Sequence, residues 1–241
     1  MKRAPYFVTA TGTGAGKTLL TALLARFLRG NGLRVAALKP VCSGGRDDAR
    51  TLAAALAGEL TLDEINPWHF RAAVAPVLAA RREKQQVSLP QIVAYVRPWQ
   101  KRYDWLLIEG AGGLLSPLGE KVDSRGVIAA LRATPIIVAP NRLGVINDLR
   151  LTLAALPPAA RSRTTIVLMS PPQPDAATRT NAALLAEYFD AGRIICLPWL
   201  GEAVDLDVAL KNGQVRRLLG RVTAAAAEAP NFKHQPPVNH Q

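Results

Sequence analysis

A glycine-rich loop near the start of the sequence has the residue types that bind phosphate. Residues 10–18 read Ala-Thr-Gly-Thr-Gly-Ala-Gly-Lys-Thr, between two apolar runs. Glycines let a backbone curl until its N–H groups point at one anion, and the positive end of a following helix faces the same way. Lys17 can reach the β- and γ-phosphates of a nucleotide, and the Thr18 hydroxyl can bind Mg²⁺. The loop therefore predicts a nucleoside triphosphate site, although Thr11 stands where the common pattern has its first glycine.

Charged residues follow later apolar runs, where they could join the phosphate site. Lys39 ends one run, and Glu109 ends another and precedes Gly-Ala-Gly-Gly. A carboxylate at the end of a strand is a usual second anchor for Mg²⁺ in nucleotide-binding proteins. Asp48 opens a helix-like segment, where a carboxylate can bind the metal or simply stabilise the helix start. A lysine is uncommon at the end of a buried strand, which favours a role beside the phosphate loop; the alternative is that Lys39 is an ordinary lysine at the rim of the sheet.

The elements that must position these residues alternate between strands and helices. Short, continuous apolar runs are typical of parallel strands that are buried on both faces. They predict strands at about 5–9, 34–39, 104–109, 135–139, 164–169 and 193–197. Helical patterns predict helices at about 17–30, 47–57, 88–101, 123–132, 146–156, 176–190 and 213–227. This alternation predicts an α/β class: a parallel-sheet, P-loop NTPase-like fold with helices on both faces.

We expect one such domain over residues 1–228, followed by a disordered tail at 229–241 that has few apolar residues. Residues 58–87 have the least regular pattern, and we expect them to form an excursion on the substrate side. Ligands of open parallel sheets bind beyond the carboxyl ends of the strands. The loops that follow the strands should therefore carry the site.

Composition and charge disfavour several classes of protein. The 241 residues carry a formal net charge of +12, but the basic residues are scattered and do not alternate with aromatic ones, which disfavours nucleic acid as a partner. No apolar run approaches the roughly 20 residues that span a bilayer, and we see no signal peptide. Cys42 and Cys196 lack the spacing of a metal site or a disulfide framework. We therefore expect a cytoplasmic protein without a membrane partner.

Six ordered segments between residues 7 and 200 resemble the dethiobiotin synthetase family. Besides the glycine-rich loop, they read Lys-Pro-Val-Cys-Ser-Gly, Asn-Pro-Trp-His-Phe, Glu-Gly-Ala-Gly-Gly, Leu-Gly-Val-Ile-Asn and Pro-Trp-Leu, at 39–44, 66–70, 109–113, 143–147 and 198–200. The family's phosphate loop is one residue longer between its outer glycines than the common pattern, which accounts for Thr11. The resemblance implies a homodimeric, Mg²⁺- and ATP-dependent ligase that joins CO₂ to 7,8-diaminononanoate and closes the ureido ring of dethiobiotin.

The resemblance also implies roles for individual residues of this sequence. The catalytic residues would be Lys17, Lys39 and Ser43, with the lysines stabilising the transferring phosphoryl group and the carbamate. The nucleotide would contact Thr13, Gly14, Ala15, Gly16, Lys17, Thr18, Ser170, Pro198 and Leu200. The diamine would contact Ser43, Gly112, Gly113 and, from across a dimer, Leu143, Gly144 and Asn147. Mg²⁺ would be held by Thr18, Asp48 and Glu109.

Departures from the family's pattern concern specificity. Ala10 replaces the first loop glycine, Gly14 replaces an acidic residue, and Ala75-Pro76-Val77 replaces a Ser-Pro-His segment of the diamine pocket. Ser170 replaces an asparagine whose amide reads the adenine edge, and a hydroxyl cannot make that bidentate contact. We therefore expect other nucleoside triphosphates to be accepted besides ATP.

Two alternatives to dethiobiotin synthesis remain at this point. One is a related ATP-dependent ligase with another amine substrate, which the altered 75–77 segment would favour. The other is a nucleotide-switched scaffold of the partition-ATPase type. Those proteins usually carry an additional lysine early in the phosphate loop, and residues 10–15 contain none.

Overall fold

The computed structural model describes residues 4–227 and is built around a parallel sheet. The strands formed by these residues are β1 (Tyr6–Ala10), β2 (Val35–Leu38), β3 (Val41–Ser43), β4 (Trp68–Phe70), β5 (Trp105–Glu109), β6 (Pro117–Gly119), β7 (Val122–Asp123), β8 (Thr134–Pro140), β9 (Thr165–Met169) and β10 (Ile194–Leu197). Six of them form the main sheet, in the order β10-β9-β8-β1-β5-β2. The tail predicted at 229–241 lies outside the described residues.

The sequence predicts all six strands of the main sheet to within a residue at each end. The reason is that these strands are buried on both faces, so each is a continuous apolar run. β1 lies in the middle, with Val8 opposite Glu109 of β5 on one side and opposite Ile136 of β8 on the other. Since all the pairings in this sheet are parallel, the loops after the strands meet at one edge, as predicted.

Helices cover the sheet in two groups. The described residues form α1 (Lys17–Gly30), α2 (Asp47–Ala55), α3 (Leu62–Ile65), α4 (Pro76–Arg82), α5 (Leu89–Arg102), α6 (Ser124–Leu131), α7 (Val145–Ala155), α8 (Pro158–Arg161), α9 (Ala176–Leu185), α10 (Leu206–Lys211) and α11 (Gly213–Ala227). α1 packs against α2, α10 and α11, whereas α5 packs against α6 and α7 packs against α9. All seven predicted helices are present. α9 is shorter than predicted: the chain turns after Leu185, and Asp190 then caps a 3₁₀ turn over Ala191–Arg193.

Two small sheets lie where the sequence analysis expects loops. β3 pairs with β4 in parallel, and β6 pairs with β7 antiparallel. Segments of two or three residues are too short to show a strand period, so the pattern could not reveal them. The excursion at 58–87 contains α3, β4 and α4, and it is tied to the chain after β2 because Trp68 N–H donates to the Pro40 carbonyl at 3.1 Å. Across residues 4–227, none of the helices has both the length and the apolar character needed to cross a membrane.

Candidate functional site

The phosphate loop connects β1 to α1 at the carboxyl edge of the sheet. Gly14 and Gly16 have φ values of 74° and 93°, in the left-handed region that favours glycine. α1 begins at Lys17, so the unpaired N–H groups of its first turn face the loop. The Lys17 ammonium donates to the Gly12 carbonyl at 3.2 Å and forms no ion pair among the described residues. Burial, and then repulsion from Lys39, lowers the pKa of Lys17, and an anion bound beside the ammonium would oppose both effects.

A charged cluster stands beside this loop. The Lys39 ammonium lies 2.6 Å from Asp48 Oδ2, 2.6 Å from Glu109 Oε1 and 3.2 Å from the Gly110 carbonyl. The Thr18 hydroxyl lies 2.9 Å from Asp48 Oδ1 and 2.8 Å from Glu109 Oε1. The first two residues of α2 are aspartates, and the side chain of the second, Asp48, turns to this cluster. The structure thus brings together the three residues predicted to hold Mg²⁺ and one of the predicted catalytic lysines.

The charges in this cluster stabilise one another despite burial. Burial opposes the ionised form of Lys39, but attraction to Glu109 and Asp48 outweighs it and raises the pKa of the lysine. Burial likewise opposes the ionised form of Asp48, yet the Lys39 charge and the hydrogen bonds from Lys39 and Thr18 lower the pKa of this carboxyl. Lys39 and Asp48 are therefore both charged at neutral pH. A buried lysine held between two carboxylates is an unusual arrangement for a sheet rim, where a lysine ordinarily extends into solvent.

The same cluster suits a small divalent cation. The second oxygen of Glu109, Oε2, is buried and has no hydrogen-bond partner among the described residues. The Thr18 hydroxyl has a single proton to share between two carboxylates, so one of its two contacts is always unmet. Mg²⁺ is typically bound through one or two carboxylates together with substrate phosphates, and the phosphate loop is adjacent. In residues 4–227, no group of three or more His, Cys, Asp and Glu side chains converges, so a metal held by protein side chains alone is not indicated there.

Residues of the phosphate loop and of the charged cluster line a cleft of about 700 Å³. Polar lining comes from Thr13, Lys17, Thr18, Lys39 and Asp48, and apolar lining, called the apolar wall below, comes from Ala73, Val74, Ala75, Pro76 and Pro117. The lining of the cleft is thus partly charged and partly apolar. A ligand that joins a phosphate to an alkyl chain would match both.

Three residues predicted to contact the diamine lie in or next to this cleft. The Ser43 hydroxyl lines it and donates to the Val74 carbonyl at 2.6 Å, which ties the apolar wall to the end of β3. Gly112 also lines it, with φ of 67°. Gly113 N–H donates to the Ser116 hydroxyl at 2.8 Å and so is engaged within the loop itself.

The other predicted residues are placed away from the lining of this cleft. Leu143, Gly144 and Asn147 lie on the surface at the start of α7, and 79% of Leu143 is exposed. Pro198 and Leu200 follow β10, and Ser170 N–H donates to the Leu197 carbonyl at 2.9 Å.

Several residues of the site were not singled out by the sequence analysis. Met169, which precedes Ser170, packs against the phosphate loop: a Cβ atom at Gly16 would lie 3.1 Å from Met169 Cε. Ser116 lines the cleft, and so does Cys42, whose pKa is raised by burial. No spacing rule points to these side chains. Asn66 belongs to the Asn-Pro-Trp-His-Phe motif, but no sequence pattern indicates which residues its side chain would contact.

The chain is similar to known proteins over most of its length. A family model described as an AAA domain matches residues 4–205. The ATP-dependent dethiobiotin synthetase BioD of Anaeromyxobacter dehalogenans (strain 2CP-C) is 36% identical over 91% of this chain and 96% of its own. The enzyme of the same description from Akkermansia muciniphila is 34% identical over 86% of this chain and 97% of its own. The likeness therefore extends over nearly the full length of both relatives.

Solved structures resemble the chain in fold alone. The MinC:MinD cell division protein complex of Aquifex aeolicus contains a chain with a TM-score of 0.59 and 16% identity, covering 97% of this chain and all of that one. The structure of pNOB8 ParA bound to nonspecific DNA gives a TM-score of 0.57 at 12% identity, covering 93% of this chain and 97% of that one. These neighbours confirm the predicted α/β, P-loop NTPase-like fold, but at such identities they carry no argument for a scaffold function.

Proposed function

We propose a role for each part of the cleft, starting from the family to which the chain belongs, that of the ATP-dependent dethiobiotin synthetases. The protein is accordingly a ligase of biotin biosynthesis that uses ATP to make dethiobiotin. One observation carries the assignment of roles: Lys39 and Thr18 converge on Asp48 and Glu109 at the mouth of the phosphate loop. The convergence supports the proposal that the γ-phosphate lies beside this positive charge and these metal-binding oxygens.

The reaction needs positioning and charge neutralisation more than it needs acid–base groups. One amine of 7,8-diaminononanoate combines with CO₂ to form a carbamate. A carbamate oxygen attacks the γ-phosphorus of ATP, ADP leaves, and a carbamic–phosphoric anhydride results. The second amine attacks the carbonyl carbon and expels phosphate, which closes the ring. The main requirement of these reaction steps is to stabilise negative charge on the phosphoryl oxygens, and enzymes do this with fixed positive charges and N–H groups.

Lys17 and Lys39 would both stabilise this negative charge. The Lys17 ammonium would leave the Gly12 carbonyl and bind the β- and γ-phosphates, while the N–H groups of residues 13–18 surround these phosphates. Thr18, Asp48 and Glu109 fit Mg²⁺, which would neutralise phosphate charge when bound. Lys39 would then turn from the carboxylates towards the carbamate and the transferring phosphoryl group. Thr13, Gly14, Ala15 and Gly16 would bind by their backbone, which explains why their side chains are small.

The direct test of this assignment is ligation by the purified protein. We expect dethiobiotin from diaminononanoate, bicarbonate, Mg²⁺ and ATP, and we expect Lys17→Ala to abolish it. Arg26→Gln is a suitable control, because Arg26 bonds Asp207 on the outside of α1 and has no part in the cleft. Unchanged ligation by Lys17→Ala would show that the phosphate loop is not used as proposed.

The apolar wall would hold the alkyl chain of the diamine. Val74 and Ala75 present no hydrogen-bonding side chain, and Ser43 fixes this wall through the Val74 carbonyl. Ser43 and Gly112 are near enough to the cleft to contact the reacting carbamate as well. Ala75 is exposed in the free protein, and a bound alkyl chain would cover it. We expect Ala75→Asp to raise KM for the diamine at least about tenfold, because the alkyl chain would remove water from the new carboxylate without replacing its hydrogen bonds. An unchanged KM would place the diamine elsewhere.

A homodimer would bring a second subunit's α7 start to this cleft. Leu143 and Leu151 are 79% and 63% exposed, which favours contact with another copy of the chain. In that dimer, Leu143, Gly144 and Asn147 would bind the distal carboxylate of the diamine through the N-terminus of α7. We expect Leu151→Glu to give monomers by light scattering and to raise KM for the diamine. Val208→Glu, on the equally exposed Val208 of α10, should change neither quantity.

The nucleobase would lie near Ser170, Pro198 and Leu200. Ser170 offers one hydroxyl where an amide could make two bonds to adenine, so we expect kcat/KM for ATP, CTP and GTP to lie within about tenfold of one another. Ser170→Asn should increase the preference for ATP. A strong ATP preference in the unchanged protein would contradict this part of the proposal.

A further inference from the structure

Asn66 is a buried polar residue at the junction between the main sheet and the small sheet of β3 and β4. It belongs to the Asn-Pro-Trp-His-Phe motif, and none of its atoms lines the cleft. Its side chain is completely buried. We propose that Asn66 is a positioning residue that sets the places of Lys39 and Asp48; this inference rests on the proposed roles of those two residues.

The backbone of Lys39 is held by the Ile65–Asn66 corner. β2 ends at Leu38, and Lys39 is the first residue beyond it. Lys39 N–H donates to the Ile65 carbonyl at 2.8 Å, and the Lys39 carbonyl accepts from Asn66 Nδ2 at 2.7 Å. Both polar backbone groups of the lysine are therefore bonded to two successive residues. The direction in which the buried side chain leaves the backbone depends on these bonds.

Asn66 Nδ2 also donates to the Trp68 carbonyl at 3.3 Å, and two further contacts of Asn66 reach the segment that carries Asp48. Its Oδ1 accepts from the Cys42 thiol at 3.0 Å, and its backbone carbonyl accepts from Arg46 Nη2 at 3.2 Å. Arg46 is the residue that immediately precedes α2, and Asp48 is the second residue of that helix. Asn66 thus contacts the chain both before and after the turn that separates the lysine from the aspartate.

The arrangement matters because the cluster tolerates little displacement. Lys39 reaches its two carboxylates at 2.6 Å each, and its side chain is only 3% exposed, so solvent cannot compensate for a shift. Misplacing a reacting or charge-stabilising group by about 1 Å can lower a rate about a hundredfold. An unpartnered Lys39 carbonyl would also lower stability, because a buried acceptor would lose its donor. A test must therefore separate positioning from stability.

The experiment compares Asn66→Ala with Thr164→Val in the full chain. Thr164 is also fully buried, and its hydroxyl donates to the Ala160 carbonyl at 3.0 Å. It lies just before β9, at the amino ends of the parallel strands, whereas the cleft lies at their carboxyl ends. It is a matched buried hydrogen bond without contact to the cleft. Thermal unfolding measures the stability of each variant. Ligation rates at varied ATP concentration give kcat and KM for ATP as separate values. Reductive methylation followed by mass spectrometry measures the access of reagent to Lys39, with Lys17 as internal reference.

We expect Asn66→Ala to lower kcat about 10- to 100-fold with KM for ATP within about threefold, because the hydrogen bonds of Asn66 in the described part of the chain do not reach residues 10–18. Methylation of Lys39 should rise relative to Lys17. Thr164→Val should lose stability without either effect. Unchanged methylation and kcat in Asn66→Ala would overturn the positioning role. Raised methylation with unchanged kcat would instead overturn the catalytic role of Lys39. If Asn66→Ala does not fold, Asn66→Ser, whose hydroxyl is too short to reach the Lys39 carbonyl, is measured in its place under the same criteria.

Discussion

The position of Lys39 between two carboxylates predicts that this lysine competes with the metal. In the free protein its ammonium lies 2.6 Å from both Asp48 and Glu109, and its side chain is almost wholly buried. A cation entering between the same oxygens must displace at least one of these two bonds. A hydrogen bond between charged groups contributes about 1.5–3 kcal/mol. Since about 1.4 kcal/mol corresponds to a tenfold change, Lys39→Met should bind Mg²⁺ or Mn²⁺ about 10- to 100-fold more tightly without nucleotide.

The assay is Mn²⁺ titration of nucleotide-free protein followed by electron paramagnetic resonance, in which bound Mn²⁺ loses its free-ion signal. Lys17→Met is the control, because it removes a neighbouring buried charge that bonds the Gly12 carbonyl and no carboxylate. Lys39→Met leaves the buried Glu109 carboxylate near the half-exposed Asp48 carboxylate with no ammonium between them, so its melting temperature should be low and should rise with Mg²⁺. Equal tightening in both variants would mean that only general charge repulsion operates. Weaker binding in Lys39→Met would refute the competition outright.

Three further predictions concern the same cleft. Gly16→Ala should weaken ATP binding by calorimetry, because a left-handed φ costs a side chain about 1–2 kcal/mol and its methyl group would meet Met169; Met169→Ala in the same protein should restore only the steric part. Asp48→Asn should be less stable than the unchanged protein at neutral pH. Because the pKa of Asp48 is lowered from 3.8 in the folded state, this difference in melting temperature should persist above that value and shrink as the pH falls below it; a constant difference down to pH 2 would contradict the ion pair. Thr18→Val should raise the Mg²⁺ concentration needed for half-maximal ligation about tenfold, whereas Thr18→Ser, which keeps the hydroxyl, should not.

The sequence predicts the main sheet well because its strands are buried and parallel. Each such strand is a continuous apolar run, and the parallel order brings the loops after the strands to one edge. That rule alone places Lys39 and Glu109 near the phosphate loop. The small sheets escape prediction, since strands of two or three residues carry no period.

Finer features of the site depend on contacts that no spacing rule encodes. The bond from Ser43 to the Val74 carbonyl joins residues 31 positions apart. The ammonium of Lys39 is shared by carboxylates from α2 and β5, which approach only when the sheet and the helix are packed. Asn66 is a further example: the sequence contains its motif, but only the folded structure brings it next to its partners in residues 38–46. Local pattern therefore identifies the chemical groups, whereas the tertiary structure decides which of them meet.

The central place of β1 has a consequence for the order of events during synthesis. Its neighbours in the sheet are β5 and β8, at Trp105–Glu109 and Thr134–Pro140, and Thr11 N–H in the phosphate loop donates to the Val138 carbonyl at 3.2 Å. Such pairings between distant segments form late, because a long stretch of chain must first be closed into a loop. β1 and the phosphate loop precede both of these strands in the chain, so β1 gains one neighbour with β5 and the other only when β8 has been made, at residue 140. We therefore expect a nascent fragment that ends before β8 to hold nucleotide weakly, because its phosphate loop lacks the hydrogen bond from Thr11 to Val138.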